Sequence, residues 1–219
     1  MIKWFIFSIV FGLLSSLISC PQDTPAERPP VLPTPGIHVE PDEGYSIARN
    51  WNEMLLEAIR NDRARPPVHA RNLFHAAVAM YDAWAVFDEL ASPYLLGNTL
   101  NGYECSFSGF NKKVNQSLEE ARATALSYAS YRLLKYRFGL ADNFEISIAI
   151  DQFFDALGYD PNNNNLDYQE GDAAALGNYI ARCMILSSHH EHASFHREWC
   201  VHQLLHRRPR HWKETSPIP

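Results

Sequence analysis

Polar residues that could perform acid–base or anion-binding chemistry lie inside a mostly apolar stretch. The set comprises Arg71, Asn72, His75 and Asp82. His75 lies four residues after Arg71 and seven before Asp82, so these three share one face of a helix. One interpretation is a catalytic or phosphate-contacting trio. The other is an interior network in which all four hydrogen-bond to one another, and we favour it because no nucleophile or second charged cluster accompanies them.

A second group of candidate ligands lies near the C-terminus, where seven of the ten histidines fall between His189 and His211. His192 and His196 are four residues apart and would face one ion on a helix, with His189 and Cys200 nearby. The segment contains no HExxH motif, and it has no clean apolar stripe. We therefore expect residues 186–219 to form a disordered, solvated tail without a metal site.

The elements that must position the first group are two adjacent helices. The first is predicted from about Ser46 to Asp62, with one apolar stripe. Pro66 and Pro67 break the chain and can open the second helix, since proline is tolerated in a first turn. Apolar residues cover both sides of this second helix. One broad face carries Leu73, Phe74, Ala77, Met80, Tyr81, Trp84 and Phe87, and the other carries Val78, Ala79 and Val86. We therefore expect it to lie in the centre of a bundle, wrapped by its neighbours.

The remaining pattern predicts three further helices and a long loop. The third helix begins at Ser117, with Glu120 completing a capping box, and ends near Gly139. The fourth spans about 142–158 and the fifth about 167–185. Residues 92–111 read as a loop with a short hairpin, and a disulfide between Cys105 and Cys183 is an open alternative in an oxidising compartment. The predicted fold class is all-α, a bundle of about five helices.

The beginning of the chain has the pattern of an export signal. Residues 1–20 contain Lys3 followed by an apolar run, and they end in Leu17-Ile18-Ser19-Cys20, which resembles the lipobox of bacterial lipoproteins. Residues 21–44 are rich in proline and suit an extended spacer. We expect lipidation at Cys20 and an exported protein held on a membrane, facing the periplasm or cell exterior. The alternatives are an ordinary signal peptide with an incidental Cys20, or an uncleaved anchor.

Residues 45–185 also resemble a known family. The resemblance rests on Trp51-Asn52-Glu53, Pro66-Pro67, Ala70-Arg71, Phe74-His75 and Asp82-Ala83, which are similar to the N-terminal helices of vanadium-dependent haloperoxidases. Those enzymes share a helical fold with type 2 phosphatidic-acid phosphatases. The resemblance implies that a full-length member binds vanadate or phosphate and oxidises halide or hydrolyses phosphate esters.

The motifs that form the family's anion pocket do not occur in this sequence. There is no Ser-Gly-His, since Ser108-Gly109 is followed by Phe110. We therefore expect no catalytic or cofactor-binding residue in this chain, and vanadate only in a full-length relative.

Two functions remain open at this level. The first is a truncated, non-catalytic N-terminal part of a haloperoxidase-like protein, whose tail results from a frameshift. The alternative is a complete helical surface lipoprotein that acts as a binding or scaffold module. The net charge of −6 gives no reason to expect nucleic acid. Exposed apolar helix faces would favour self-association.

Overall fold

The computed structural model describes residues 37, 39–63, 65–112, 116–139 and 144–205, with side chains described as far as His190. The predicted signal, Cys20, most of the proline-rich spacer, Asp142 and residues 206–219 lie outside these ranges. Within them the chain is mostly helical, as predicted. The elements are α1 Ile47–Arg60, α2 Pro66–Ala85, β1 Thr99–Leu100, β2 Tyr103–Glu104, α3 Leu118–Phe138, α4 Phe144–Ala156 and α5 Ala173–Leu205.

The five helices among the described residues agree with the predicted number, and their two short strands confirm the hairpin. The strands pair antiparallel, with Thr99 opposite Glu104 and Leu100 opposite Tyr103. No helix among the described residues combines the length and apolar character that a membrane span requires.

The predicted helix starts are set by local chemistry. The Ser46 hydroxyl accepts a hydrogen bond from the Arg49 N–H and caps α1. Pro66 and Pro67 occupy the first turn of α2. Ser117 and Glu120 form the reciprocal capping box that begins α3. All three predictions are confirmed.

The centre of the bundle is α3, which packs against each of the other four helices. The indole of the fully buried Trp51 on α1 donates to the hydroxyl of Ser127 on α3 at 3.1 Å. The Trp51 ring also meets that of Phe153 on α4 edge to face. The expectation that α2 is the central helix is therefore wrong.

The faces of α2 are also oriented differently from the prediction. Four members of its broad aromatic face, Leu73, Phe74, Tyr81 and Trp84, are 40–48% exposed. The helix instead buries a side built largely from alanines and polar residues. Ala76, Ala79 and Ala83 are at most 1% exposed. Small side chains let α2 lie close to its neighbours, which leaves the bulky rings outside.

The fifth helix differs from the prediction at both ends. It begins at Ala173 rather than near Asp167, because the Asp172 carboxylate accepts from the backbone N–H of Ala174 and so caps it. It does not end at Ile185 but continues to Leu205, so the prediction of a disordered tail is wrong as far as that residue.

The two buried serines just after Ile185 show how a polar sequence stays in the helix. The hydroxyls of Ser187 and Ser188 donate to the backbone carbonyls of Met184 and Ile185. The polar groups are thus satisfied within the helix.

Two further connections close the fold. Cys105, just after the hairpin, is disulfide-bonded to Cys183 on α5, with the Cα atoms 5.7 Å apart. At the N-terminal side, the Asn50 side chain forms hydrogen bonds with both the N–H and the carbonyl of Asp42. Val39 packs against the core. The folded unit therefore begins before Tyr45, where the spacer was predicted to end.

Candidate functional site

Asp82 is fully buried and holds the chain segment that follows α2. Its Oδ1 accepts from the N–H of Tyr94 at 2.7 Å, and its Oδ2 accepts from the N–H groups of Leu95 and Leu96 at 2.9 and 2.8 Å. Both leucine side chains are buried in the core as a result. One carboxylate therefore fixes three consecutive backbone groups.

Burial raises the pKa of Asp82, and the three backbone hydrogen bonds offset part of that rise. Both carboxylate oxygens are occupied by backbone donors. A general base needs an oxygen that can reach a substrate proton. The surroundings of Asp82 suit a structural role.

His75 joins α2 to the last turn of α3. It is 2% exposed, and its Nδ1 lies 2.7 Å from the Nη2 of Arg137. A guanidinium can only donate, so Nδ1 is the acceptor and a neutral His75 carries its proton on Nε2. Arg137 also places a cation near the C-terminal end of α3, where the helix dipole favours positive charge.

The predicted polar residues of α2 therefore lie mainly on its inner side, but His75 and Asp82 form hydrogen bonds with different parts of the protein. Asn72 is buried on α2, as are His75 and Asp82, and Arg71 is half-buried. His75 bonds to α3, whereas Asp82 bonds to residues 94–96. The expectation of one mutual network does not hold for Asp82. The arrangement ties α2 to its neighbours.

The histidine candidates fall partly within the described region. The His189 Nε2 lies 2.7 Å from the Tyr136 hydroxyl. Among the residues whose side chains are described, no group of three or more His, Cys, Asp or Glu is placed to hold a metal ion. His192, His196 and Cys200 lie on α5, but their side chains are outside the described part.

The outer side of α2 forms an aromatic groove with the loop that follows it. The groove has a volume of about 650 Å³, and Phe74, Tyr81, Pro93 and Tyr94 are among its lining residues. The Tyr81 hydroxyl donates to the Ser92 carbonyl at 3.1 Å, and the rings of Phe74 and Tyr94 meet edge to face. These contacts hold the loop beside the helix, so the groove has fixed walls.

The C-terminal end of the same face is formed by Trp84. The Arg122 guanidinium lies over its ring at 5.2 Å and donates to the Phe87 carbonyl. The cation orients the indole, which stays 40% exposed. The outer face of α2 is thus a fixed apolar surface from Phe74 to Trp84.

Sequence reasoning missed a polar centre between α3 and α5. The Arg132 guanidinium donates to the Asn178 side chain and to the carbonyls of Pro161 and Asn163. Asn178 donates to the carbonyls of Asn163 and Asn165. The run of asparagines signalled a turn, but nothing local identified these distant partners.

The fold and these contacts define a helical-bundle domain whose buried polar residues hold its parts together and whose second helix presents an apolar face. No protein-family model, curated protein or solved structure matches the chain. The similarity to haloperoxidases therefore rests on the sequence motifs alone.

Proposed function

We propose that this chain is a non-catalytic helical module of an exported, membrane-tethered protein, similar to the N-terminal helices of vanadium-dependent haloperoxidases. Its function is to bind a protein partner through the outer face of α2. One observation carries the proposal. The helix directs His75 and Asp82 inward while Phe74, Tyr81 and Trp84 remain 40–48% exposed.

The two buried polar residues of α2, His75 and Asp82, support the proposal that the chain is non-catalytic. His75 is engaged by Arg137, and Asp82 by three backbone N–H groups. A catalytic group must be able to exchange its partner for a substrate atom. Here each exchange would break a contact that ties α2 to α3 or to the loop after α2, so the residues serve the fold.

The outward residues support binding. Exposed, contiguous aromatic surface costs free energy in water and is typical of interaction sites. Contacts with Ser92 and Arg122 hold Tyr81 and Trp84 in place before any partner arrives. A preformed surface loses less conformational entropy when it binds.

The disulfide supports export. Cys105 and Cys183 lie 78 residues apart and are both buried. Such bonds persist in oxidising compartments and are rare in the cytosol. This agrees with the signal-like residues 1–20 and with Cys20 as the lipidated position.

Catalysis is tested directly with the full chain, vanadate, hydrogen peroxide and bromide, and separately with a phosphate ester. We expect rates equal to those of a heat-unfolded sample of the same protein. Turnover clearly above that control would overturn the non-catalytic assignment.

Partner binding is tested by placing a photo-reactive phenylalanine analogue at Phe74 in cells that export the chain. The matched control carries the analogue at Leu56, an exposed leucine on α1. We expect protein adducts from position 74 and none from position 56. Absence of adducts at position 74 would contradict a binding role for this face.

The anchor is tested by labelling cells with radioactive palmitate. The wild-type chain and Cys200→Ser should be labelled equally, and Cys20→Ser should lose the label. A label that survives Cys20→Ser would exclude lipidation at this position.

A further inference from the structure

We propose that the partner of this face is a second copy of the chain, with the two α2 helices antiparallel about a two-fold axis through Ala77. The inference rests on the proposed binding function and names its partner. The exposed residues Ala70, Phe74, Ala77, Tyr81 and Trp84 follow one another at intervals of four, three, four and three. This mean spacing of about 3.5 residues is the repeat by which two helices interlock side chains along their length.

The sizes of these residues, which we call the seam, fit an antiparallel pair. Residues at nearly equal distances from Ala77 face each other across the axis. Ala70 and Trp84, each seven residues from Ala77, then face each other. Phe74, three residues before Ala77, lies within about 1.5 Å along the axis of Tyr81, four residues after it. The small Ala77 side chains meet at the centre and let the helices approach closely. A large residue is thus opposite a small one at each end, and ring meets ring between them.

The charges beyond the seam favour the same direction. Arg65 precedes α2 and Glu89 follows it, and each lies twelve residues from Ala77. Half of the Arg65 side chain is exposed, while its guanidinium is also ion-paired with Asp62 at 2.8 Å, and Glu89 is exposed. An antiparallel pair places the end of α2 that follows Arg65 in one copy beside the end that precedes Glu89 in the other, twice per dimer. A parallel pair would place like charges and like helix dipole ends together.

A lipid surface is a less suitable occupant than a second copy. The alternation of alanine with aromatic residues gives a ridged surface that matches another helix, whereas a membrane presents no complementary ridges.

Crosslinking in cells that export the full chain tests both contact and direction. All variants are made in a parent protein that carries Cys200→Ser. The amount of crosslinked dimer that this parent forms through Cys20 is the background. Ala77→Cys should give a covalent dimer with a short thiol-reactive crosslinker. Ala70→Cys is the matched control, because in an antiparallel pair its two copies lie roughly 21 Å apart along the axis. The yield of crosslinked dimer from Ala70→Cys should therefore equal the background. Equal dimer from both variants, or none from Ala77→Cys, would overturn the proposal.

Affinity is measured by sedimentation of the purified full chain in a mild non-ionic detergent. Tyr81→Glu buries two unpaired carboxylates and should weaken the dimer at least about 100-fold. Arg65→Glu and Glu89→Arg should each weaken it about threefold to tenfold, and the double variant should recover most of the loss. Thermal melting verifies that each variant is folded. A monomer at all concentrations would refute the dimer even where a variant fails to fold.

The experiments separate this inference from the proposed function. Adducts from position 74 with the mass of another protein would keep partner binding and reject the second copy. Adducts from neither position 74 nor the cysteine at position 77 would reject both. Binding of the chain to phosphatidylglycerol vesicles that Tyr81→Glu abolishes, without crosslinking at position 77, would assign the face to a membrane and reject the dimer.

Discussion

Gly177 of α5 lies directly against Ala125 of α3, so that any side chain on Gly177 would overlap the Ala125 carbonyl oxygen. A Cβ atom there would also lie 2.7 Å from the Cβ of Tyr128 and 3.0 Å from the backbone nitrogen of Ala129. Two of these three atoms belong to the backbone and cannot move without shifting α3. The close packing of the two longest helices depends on this one glycine.

Gly177→Ala should therefore destabilise the protein by about 1–3 kcal/mol, despite the higher helix propensity of alanine. Thermal melting should show a decrease of several degrees. The control is Arg182→Ala on the exposed side of the same helix, which should change stability by no more than about 0.5 kcal/mol. An unchanged melting temperature for Gly177→Ala would show that α5 can move away from α3 at little cost.

Asp82 should give the protein a stability that declines as pH rises. Its folded-state pKa is raised by burial, so the folded protein holds this proton more tightly than the unfolded chain does. The contribution is complete below the unfolded pKa of about 3.9 and is lost as pH rises through the higher folded value. Asp82→Asn removes the titration. The stability advantage of the wild type over this variant, measured by urea denaturation, should shrink upward from about pH 4. A wild-type stability advantage over Asp82→Asn that grows as pH rises would contradict the raised pKa of Asp82.

Glu120 should show the opposite pH dependence. Its hydrogen bonds with Ser117, first the one from the backbone N–H, lower its pKa. Its contribution is therefore present above the unfolded pKa and is lost as pH falls through the lower folded value. Glu120→Gln keeps the capping geometry without the charge. The wild type should lose stability relative to this variant as the solution is acidified, measured in the same urea series. A wild-type advantage over Glu120→Gln that grows as the solution is acidified would contradict the lowered pKa of Glu120.

Reduction of the disulfide should lower stability strongly. Cys105 and Cys183 close a long loop, and opening a loop of this length costs about 4 kcal/mol through the entropy of the unfolded chain. Both cysteines are buried, so reductant should act only after local opening. The melting temperature should fall on reduction of the wild type and should not respond to reductant in a Cys105→Ser, Cys183→Ser variant. A wild type that melts identically with and without reductant would contradict this role.

The Arg132–Asn178 pair should be energetically coupled. Removing either partner leaves the other and the loop carbonyls without their hydrogen bonds, so the double variant should lose less than the sum of the single losses. A double-mutant cycle of Arg132→Met and Asn178→Ala should give a coupling of about 1–3 kcal/mol. Arg60→Met, on the exposed surface of α1, should be additive with Asn178→Ala. Additivity of both cycles would show that Arg132 and Asn178 do not depend on each other.

The parts of the fold that could be predicted from the sequence are those determined by neighbouring residues. The cap at Ser46, the capping box of Ser117 and the opening at Pro66 each involve residues at most three positions apart.

The orientation of α2 could not be predicted in the same way. Both of its sides are apolar, so periodicity does not distinguish them. Which side of α2 is buried depends on Arg137 and on residues 94–96. They supply hydrogen-bond partners for His75 and Asp82, so the side of α2 with these two residues faces the interior. Arg137 lies 62 residues from His75 in the sequence. Contacts over such distances leave no signal in a single sequence.

The bond between Cys105 and Cys183 encloses α3 and α4 completely, because both helices lie between the two cysteines. Residues 105–183 therefore form a covalent ring. A protease that cuts once inside the ring leaves the molecule in one piece until the bond is reduced. A nicked chain should migrate as an intact species on a non-reducing gel, and the bundle can retain its central helix after a single cleavage.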